Sequence, residues 1–397
     1  MPKSFNGRSP RHYQTMRSSR NSSAKQRGPK KTYINPSKFV KPAKNIADET
    51  YQPQHKLQDF GLDPIIMRNL MLMGFDTPSP IQDQAVPAGL AGRDIVGIAN
   101  TGTGKTAAFA IPVLQKLMTT DNTKALILAP TRELAEQIEH QCRLMGKSSG
   151  LDGALLIGGS SMYEQLRDLK YNPRIIIGTP GRVKDHLERG SLVVSDCNLI
   201  VLDEVDRMLD MGFIKDITKI LSLTSPARQS FFFSATLDDR VRNIIENFAT
   251  DVVHISVKAG DTSDNVNQNI IAYNAANKID KLCDILIDAT TTKSLIFDDT
   301  QHSVERLSKE LAARGFSADS MHGGKSQPQR QRVLRKFKEG QIKVLVATDV
   351  AARGLDVSDI SHVINYSLPQ TYDDYVHRIG RTGRAGRVGD ALTFIEQ

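Results

Sequence analysis

Asp94-Ile-Val-Gly-Ile98-Ala99-Asn-Thr101-Gly102-Thr103-Gly104-Lys105-Thr106 is the stretch on which the fold of this chain turns. A short apolar run, Asp94 to Ile98, meets a glycine-rich loop, and a helix-length apolar stretch from Thr106 to Leu117 follows at once. Glycines let backbone amides close around phosphate oxygens, Lys105 has the reach for β- and γ-phosphates, and the Thr106 hydroxyl can hold magnesium. The helix start adds a dipole that favours negative charge. Phosphate loops usually begin with glycine; Ala99 stands there instead, small enough to keep the turn tight.

The same strand-then-helix rhythm extends outward from this loop. Ala125 to Ala129, Arg174 to Ile177, Leu199 to Leu202 and Ser230 to Phe233 are short, nearly all apolar, and followed by helix-like stretches such as Arg132 to Met145. Strands of that kind are parallel and buried on both faces. After the polar VKAGDTSDN around Val257 to Asn265 a second series begins: Ile270 to Tyr273, Ser294 to Phe297, Lys343 to Ala347, His362 to Asn365 and Ala391 to Ile395. The expected organisation is therefore α/β: a tail over 1–54, a first domain over 55–256, a linker over 257–265 and a second domain over 266–397. With 397 residues, one small module is excluded.

No apolar run approaches the roughly 20 residues that cross a bilayer, so no membrane association is expected. Cys142, Cys197 and Cys283 show no paired spacing, which fits a reducing cytoplasm and suggests neither a disulfide framework nor a zinc site. Charge is unevenly placed. Residues 1–50 hold 12 Lys and Arg against Asp48 and Glu49, so the +8 of the chain resolves into +10 here and −2 over the rest. This stretch has no hydrophobic period and reads as a disordered basic arm that attracts polyanions. A transit peptide, on its Arg and Ser content, and an inert solubilising tail remain open as alternatives.

Two more stretches carry chemistry. Leu199-Ile-Val-Leu-Asp203-Glu204-Val205-Asp206 ends an apolar strand in three acids, at the sheet edge where α/β proteins bind ligands. Asp203 is suited to holding magnesium through water and Glu204 to orienting or deprotonating an attacking water; capping of the next helix is the plainer alternative. In His377-Arg378-Ile-Gly-Arg381-Thr-Gly-Arg384-Ala-Gly-Arg387, arginine and glycine each repeat every three residues. Glycine weakens a regular helix, so these arginines belong on a helix end and tight loop, either as a solvated basic patch or as arginine fingers for a γ-phosphate.

Taken with Gly74-Phe75-Asp76-Thr77-Pro78-Ser79-Pro80-Ile81-Gln82, Pro130-Thr-Arg-Glu-Leu-Ala135, Gly158-Gly159, Thr179-Pro-Gly-Arg182, Ser234-Ala-Thr236, Val346-Ala-Thr348-Asp349 and Arg353-Gly354-Leu355-Asp356, these motifs resemble the ordered set of DEAD-box RNA helicases over residues 57–397. The resemblance implies two tandem RecA-like domains and an enzyme that couples hydrolysis of ATP, with Mg2+, to separating short RNA duplexes or remodelling RNA–protein complexes. It implies that Gln82 reads adenine and that Phe60 stacks on the base, with Thr101, Gly102, Thr103, Gly104, Lys105, Thr106 and Asp356 completing the nucleotide site. Lys105, Asp203, Glu204, Arg381 and Arg384 are the implied catalytic set. Asp206, Ser234, Thr236 and His377 would couple the nucleotide to RNA, which Arg132, Gly159, Thr179, Arg182, Arg330 and Thr348 would hold by phosphate and sugar contacts without reading bases. A cytoplasmic monomer is expected.

The pattern departs from the family in places. Val205 replaces alanine, Asp298-Asp299 follows a strand where acids are unusual, and the sequence stops at Gln397 without the closing helix common in relatives, which bears on how the second domain is sealed. A non-catalytic RNA clamp would be expected to lose Lys105, Glu204 or Arg384, and a DNA translocase to lack the Gln82 segment; all are present.

Overall fold

The computed structural model describes residues 34–43, 51–100, 102–257, 264–352, 355, 357, 359–384 and 387–397. Thirteen strands run in chain order among these: β1 Asp94–Ile98, β2 Lys124–Leu128, β3 Gly153–Leu156, β4 Ile175–Gly178, β5 Cys197–Leu202, β6 Gln229–Ser234, β7 Val252–Ser256, β8 Val266–Tyr273, β9 Ser294–Phe297, β10 Ala318–Met321, β11 Val344–Ala347, β12 His362–Asn365 and β13 Gly389–Glu396. They form two sheets, ordered β3-β4-β2-β5-β6-β1-β7 and β10-β11-β9-β12-β13-β8. Every pairing between these strands is parallel.

The period of two in each strand sends neighbouring side chains to opposite helix layers. In the first sheet Ile95, Ile127, Val201, Phe231 and Phe233 enter one core, while Val96, Leu126, Ile200 and Phe232 enter the other. The second sheet repeats this, with Leu295, Leu345 and Val363 on one side and Ile296, Val346 and Ile364 on the other. Burial on both faces is why these strands read as unbroken apolar runs. Val205 is fully buried in the first domain's second core, so its extra methyls are packed. The first sheet ends at Ser256 and the second begins at Val266; residues 258–263 of the expected linker lie outside the described residues.

Part of the expected basic arm is packed. Residues 1–33 and 44–50 of the basic arm lie outside the described residues, but 34–43 are packed on the second domain. Pro36–Phe39 forms a 3-10 turn capped by Asn35, and Phe39 is 1% exposed among Val266, Tyr375, Ile379 and Ala391. Its ring meets Tyr375 edge-on at 4.7 Å between centroids. Burying such a ring stabilises by about 1.5–3 kcal/mol, enough to hold a short polar segment in place. Lys41 then bridges Gln268 in antiparallel fashion along the outer edge of β8, with N···O distances of 3.0 and 2.8 Å, so the arm covers that edge. The arm's last residues meet the first domain: the buried Asp83 carboxylate accepts from the Tyr51 hydroxyl and from the backbone amides of Gln54 (2.8 Å) and His55 (3.0 Å). Among the described residues no helix is long and apolar enough to cross a membrane.

Candidate functional site

The phosphate loop leaves β1 at the sheet's C-terminal edge and turns on Gly102 and Gly104, both at positive φ (+85° and +93°). Only glycine fits at Gly104: an added Cβ would lie 2.4 Å from Gln82 Nε2. Lys105 opens the helix Lys105–Thr119 and folds back, Nζ donating to the Ala99 carbonyl at 2.9 Å. Ser79 Oγ donates to Thr103 O (2.8 Å) and Gln82 Nε2 to Gly104 O (3.2 Å), while Gln82 Oε1 accepts from Ser79 N at 3.0 Å. Gln82 thus ties the loop to its own helix, and its amide still has one donor and one acceptor site free in principle. Thr101 and Asp356 lie outside the described residues.

Across the loop, β5 ends in Asp203, and Glu204 takes a left-handed backbone (φ +54°), an uncommon conformation for a non-glycine residue that marks a constrained site. Asp203 is buried, and its carboxyl is pushed up to about 7. Burial is the main cause, reinforced by the charges of Glu204 and Asp206 and offset by Lys105. A buried carboxyl held so far from its ordinary range resists ionising. Thr106 and Asp203 line the same cavity, and their hydroxyl and carboxylate oxygens suit magnesium, a hard cation.

That cavity, about 240 Å³, joins the two domains. Lys105, Thr106, Asp203 and Glu204 line it from the first, and Leu355, Arg381 and Arg384 from the second. Arg381 Nη1 donates to Leu355 O (3.0 Å), and Arg384 Nε to Gly380 O (2.8 Å). Phe60 is packed in the first core beside the His55 ring; the aromatic on the cavity wall is Phe75. Gln137 and Gln141, one turn apart on the helix Arg132–Met145, also line it and were not singled out from sequence.

Asp206 gathers its expected partners. Its Oδ2 accepts from the amides of Ala235 (3.1 Å) and Thr236 (3.0 Å) and from Thr236 Oγ1 (3.1 Å), while its own amide donates to Ser234 Oγ (3.3 Å). His377 lies elsewhere, in a small adjoining pocket with Asp349 and Arg381. Arg378, given no role from sequence, holds Asp349 with two bonds of 2.6 and 2.7 Å.

A second, more open groove of about 420 Å³ is lined by Arg132, Thr179 and Arg182 of the first domain and Arg330 of the second. Gly159 sits against Arg132: a Cβ there would be 2.3 Å from its guanidinium. Burial and the charges of Arg330 and Arg182 push the Arg132 guanidinium below its ordinary value, with Glu133 and Glu136 offsetting part of this. Arg330 also forms a buried pair with Glu133 across the domains at 2.7 Å, the side chains 8% and 3% exposed. Beside it, Glu136 accepts from Gln327 (2.8 Å) and Gln331 (2.7 Å). Thr348 is not on the groove wall; its near neighbour Val350 is.

The family model described as DEAD/DEAH box helicase matches residues 79–244, and the helicase conserved C-terminal domain matches residues 277–386. The ATP-dependent RNA helicase CshA of Listeria monocytogenes is 45% identical over 343 residues, which cover 86% of this chain and 66% of that protein. The DEAD-box ATP-dependent RNA helicase CshA of Bacillus subtilis is 44% identical over 340 residues, covering 85% and 69%. The chain spans about two thirds of the length of these relatives. Among solved structures, S. cerevisiae Dbp5 bound to RNA and ADP BeF3 superposes with a TM-score of 0.76 at 32% identity, covering 86% of this chain and 89% of that one. Mss116p bound to ssRNA and AMP-PNP gives 0.78 at 29% identity, covering 86% and 74%.

Proposed function

This chain belongs to the DEAD-box RNA helicase family, and from that premise we propose that it hydrolyses ATP when RNA draws its two domains together, and uses the cycle to separate short duplexes or remodel RNA–protein complexes. The observation that carries the reading is the single cavity in which the Lys105 loop and the Asp203–Glu204 pair of one domain face Arg381 and Arg384 of the other. Such a site is complete only while the domains are together.

Each group then has a task set by its chemistry. The loop amides and Lys105 hold the β- and γ-phosphates, and Gln82 offers its free amide edge to adenine beside the Phe75 wall. Thr106 and Asp203 would hold magnesium, which would supply positive charge to the phosphates when bound. Glu204 orients the attacking water and takes its proton; Arg381 and Arg384 meet the charge that builds on the γ-phosphate. Asp206, through Ser234 and Thr236, links this chemistry to the RNA side.

In the groove, Arg132, Arg182 and Thr179 offer guanidinium and hydroxyl groups to phosphates and sugars, which gives binding without sequence preference. The buried and free cysteines are consistent with a reducing cytoplasm, and the chain is read as working as a monomer. Phosphate release from ATP and from GTP, with and without single-stranded RNAs of unrelated sequence, tests the proposal alongside strand release from a short duplex. ATP turnover stimulated by every RNA is expected; equal use of GTP removes the adenine role of Gln82, and turnover indifferent to RNA removes the coupling.

A further inference from the structure

The arginines of the cavity hang from one helix. Tyr372–Ile379 ends at Gly380, and Arg384 bonds back to that glycine's carbonyl, so the tilt of this helix sets where both guanidinium groups point. On one side the helix is held by Arg378 gripping Asp349. On the other, its buried Tyr375 and Ile379 rest on Phe39, which comes from the far end of the sequence.

The segment around Phe39 is fixed by several independent contacts. Lys38 Nζ stands 5.1 Å from the centre of the Tyr372 ring, Lys41 pairs with Asp264 at 2.7 Å, and Ala43 N donates to Asn267 Oδ1 at 2.9 Å. Tyr375 hydroxyl donates to Gln268 Oε1 at 2.9 Å, and Gln268 is the residue that Lys41 bridges. Helix, β8 and arm are thereby locked to one another.

We propose that Phe39 is a positioning residue of the ATPase: wedged under the helix Tyr372–Ile379, it sets the placement of Arg381 and Arg384 against the γ-phosphate. The proposal rests on reading those two arginines as the groups that meet the γ-phosphate. Catalytic groups lose effect steeply when displaced by about 1 Å, by up to about 100-fold, so removing the wedge acts on the chemical step. ATP affinity is held mainly by the first domain, which Phe39 does not touch.

The test compares Phe39→Ala, Phe39→Leu and Arg384→Ala in the full chain, at saturating RNA. Phe39→Ala is expected to lower kcat about tenfold with KM for ATP within about twofold, and Phe39→Leu, which refills most of the volume, to return within about threefold of the parent. Amide exchange is expected to quicken over residues 372–384 and to stay unchanged over Lys105–Thr119. Wild-type kcat in Phe39→Ala with an impaired Arg384→Ala sinks the proposal alone. Full activity in Arg384→Ala removes the reading beneath it, and the proposal with it. Exchange that quickens across both domains, or a KM that rises as far as kcat falls, makes Phe39 a general stabiliser and also overturns the proposal.

Discussion

The nucleotide cavity and the arginine groove share a wall, the helix Arg132–Met145, yet they hold charge in opposite ways. In the groove Arg330 is already paired with Glu133 across the domains, both side chains buried. In the cavity Asp203 is pushed up to about 7, chiefly by burial and further by the charges of Glu204 and Asp206, with Lys105 offsetting only part of this. The groove therefore carries a charge pair already made between the domains, whereas the cavity buries a carboxyl among other acids. On the proposed reading, a helix that borders both is a short path between RNA and nucleotide.

The sharpest break in that comparison comes from the cavity. Glu204→Gln and Arg384→Ala are each expected to cut RNA-stimulated turnover by about 100-fold or more, because they act where charge develops in the transition state. ATP binding should survive better in Glu204→Gln, which can be checked by titration with a fluorescent ATP analogue; near wild-type phosphate release in either variant takes that residue out of the mechanism.

In the groove the effect should be smaller and should travel through closure. Breaking a buried pair strands its partner at a cost of about 3–5 kcal/mol, but here the domains can part and return Glu133 to water. Arg330→Ala is thus expected to raise the RNA concentration for half-maximal turnover about tenfold, with Glu133→Gln in the same chain recovering part of the loss. A double-mutant cycle with no coupling would mean that the pair does not hold the domains.

The smallest effect is in stability. Asp203 has a folded carboxyl near 7, above its ordinary 3.8, so between those values the folded chain keeps a proton that the unfolded chain has lost. Stability from this group is full below about pH 4, falls as pH rises, and reaches its minimum above about pH 7. Asp203→Asn should therefore raise the melting midpoint by a few degrees, more at pH 8 than at pH 5, even as it abolishes turnover. Equal shifts at both pH values would show that the carboxyl is not strained by burial.

What the sequence made legible follows the same division between local and distant. The inner strands were readable because burial on both faces leaves an apolar run: β1, β9 and β12 were placed to the residue. The edges were not. β3, β7 and β10, each at the rim of its sheet, carry residues such as Gly153, His254 and Asp319, and only half of β8, also at a rim, was found. Rim strands face neighbours on one side only and need no continuous apolar pattern. Of the site, the loop and the acids were legible because their residues are contiguous. Phe75, Gln137 and Gln141 meet the cavity only after folding, and Phe39 stands in a polar segment without a hydrophobic period, its buried partners all lying beyond the first domain in sequence.

Phe39 also has a bearing on how the chain is made. Packed against Val266, Tyr375, Ile379 and Ala391, it renders the second domain discontinuous, with the first domain inserted between its two parts. During synthesis Phe39 leaves the ribosome before any of its partners exist, so the guest domain can finish while its host has contributed one turn. The closing contact joins Phe39 to residues as far along the chain as Ala391, the kind of long-range pairing that topology makes slow. Docking of the arm is thereby expected as a late event, after the strands and helix that receive it have formed.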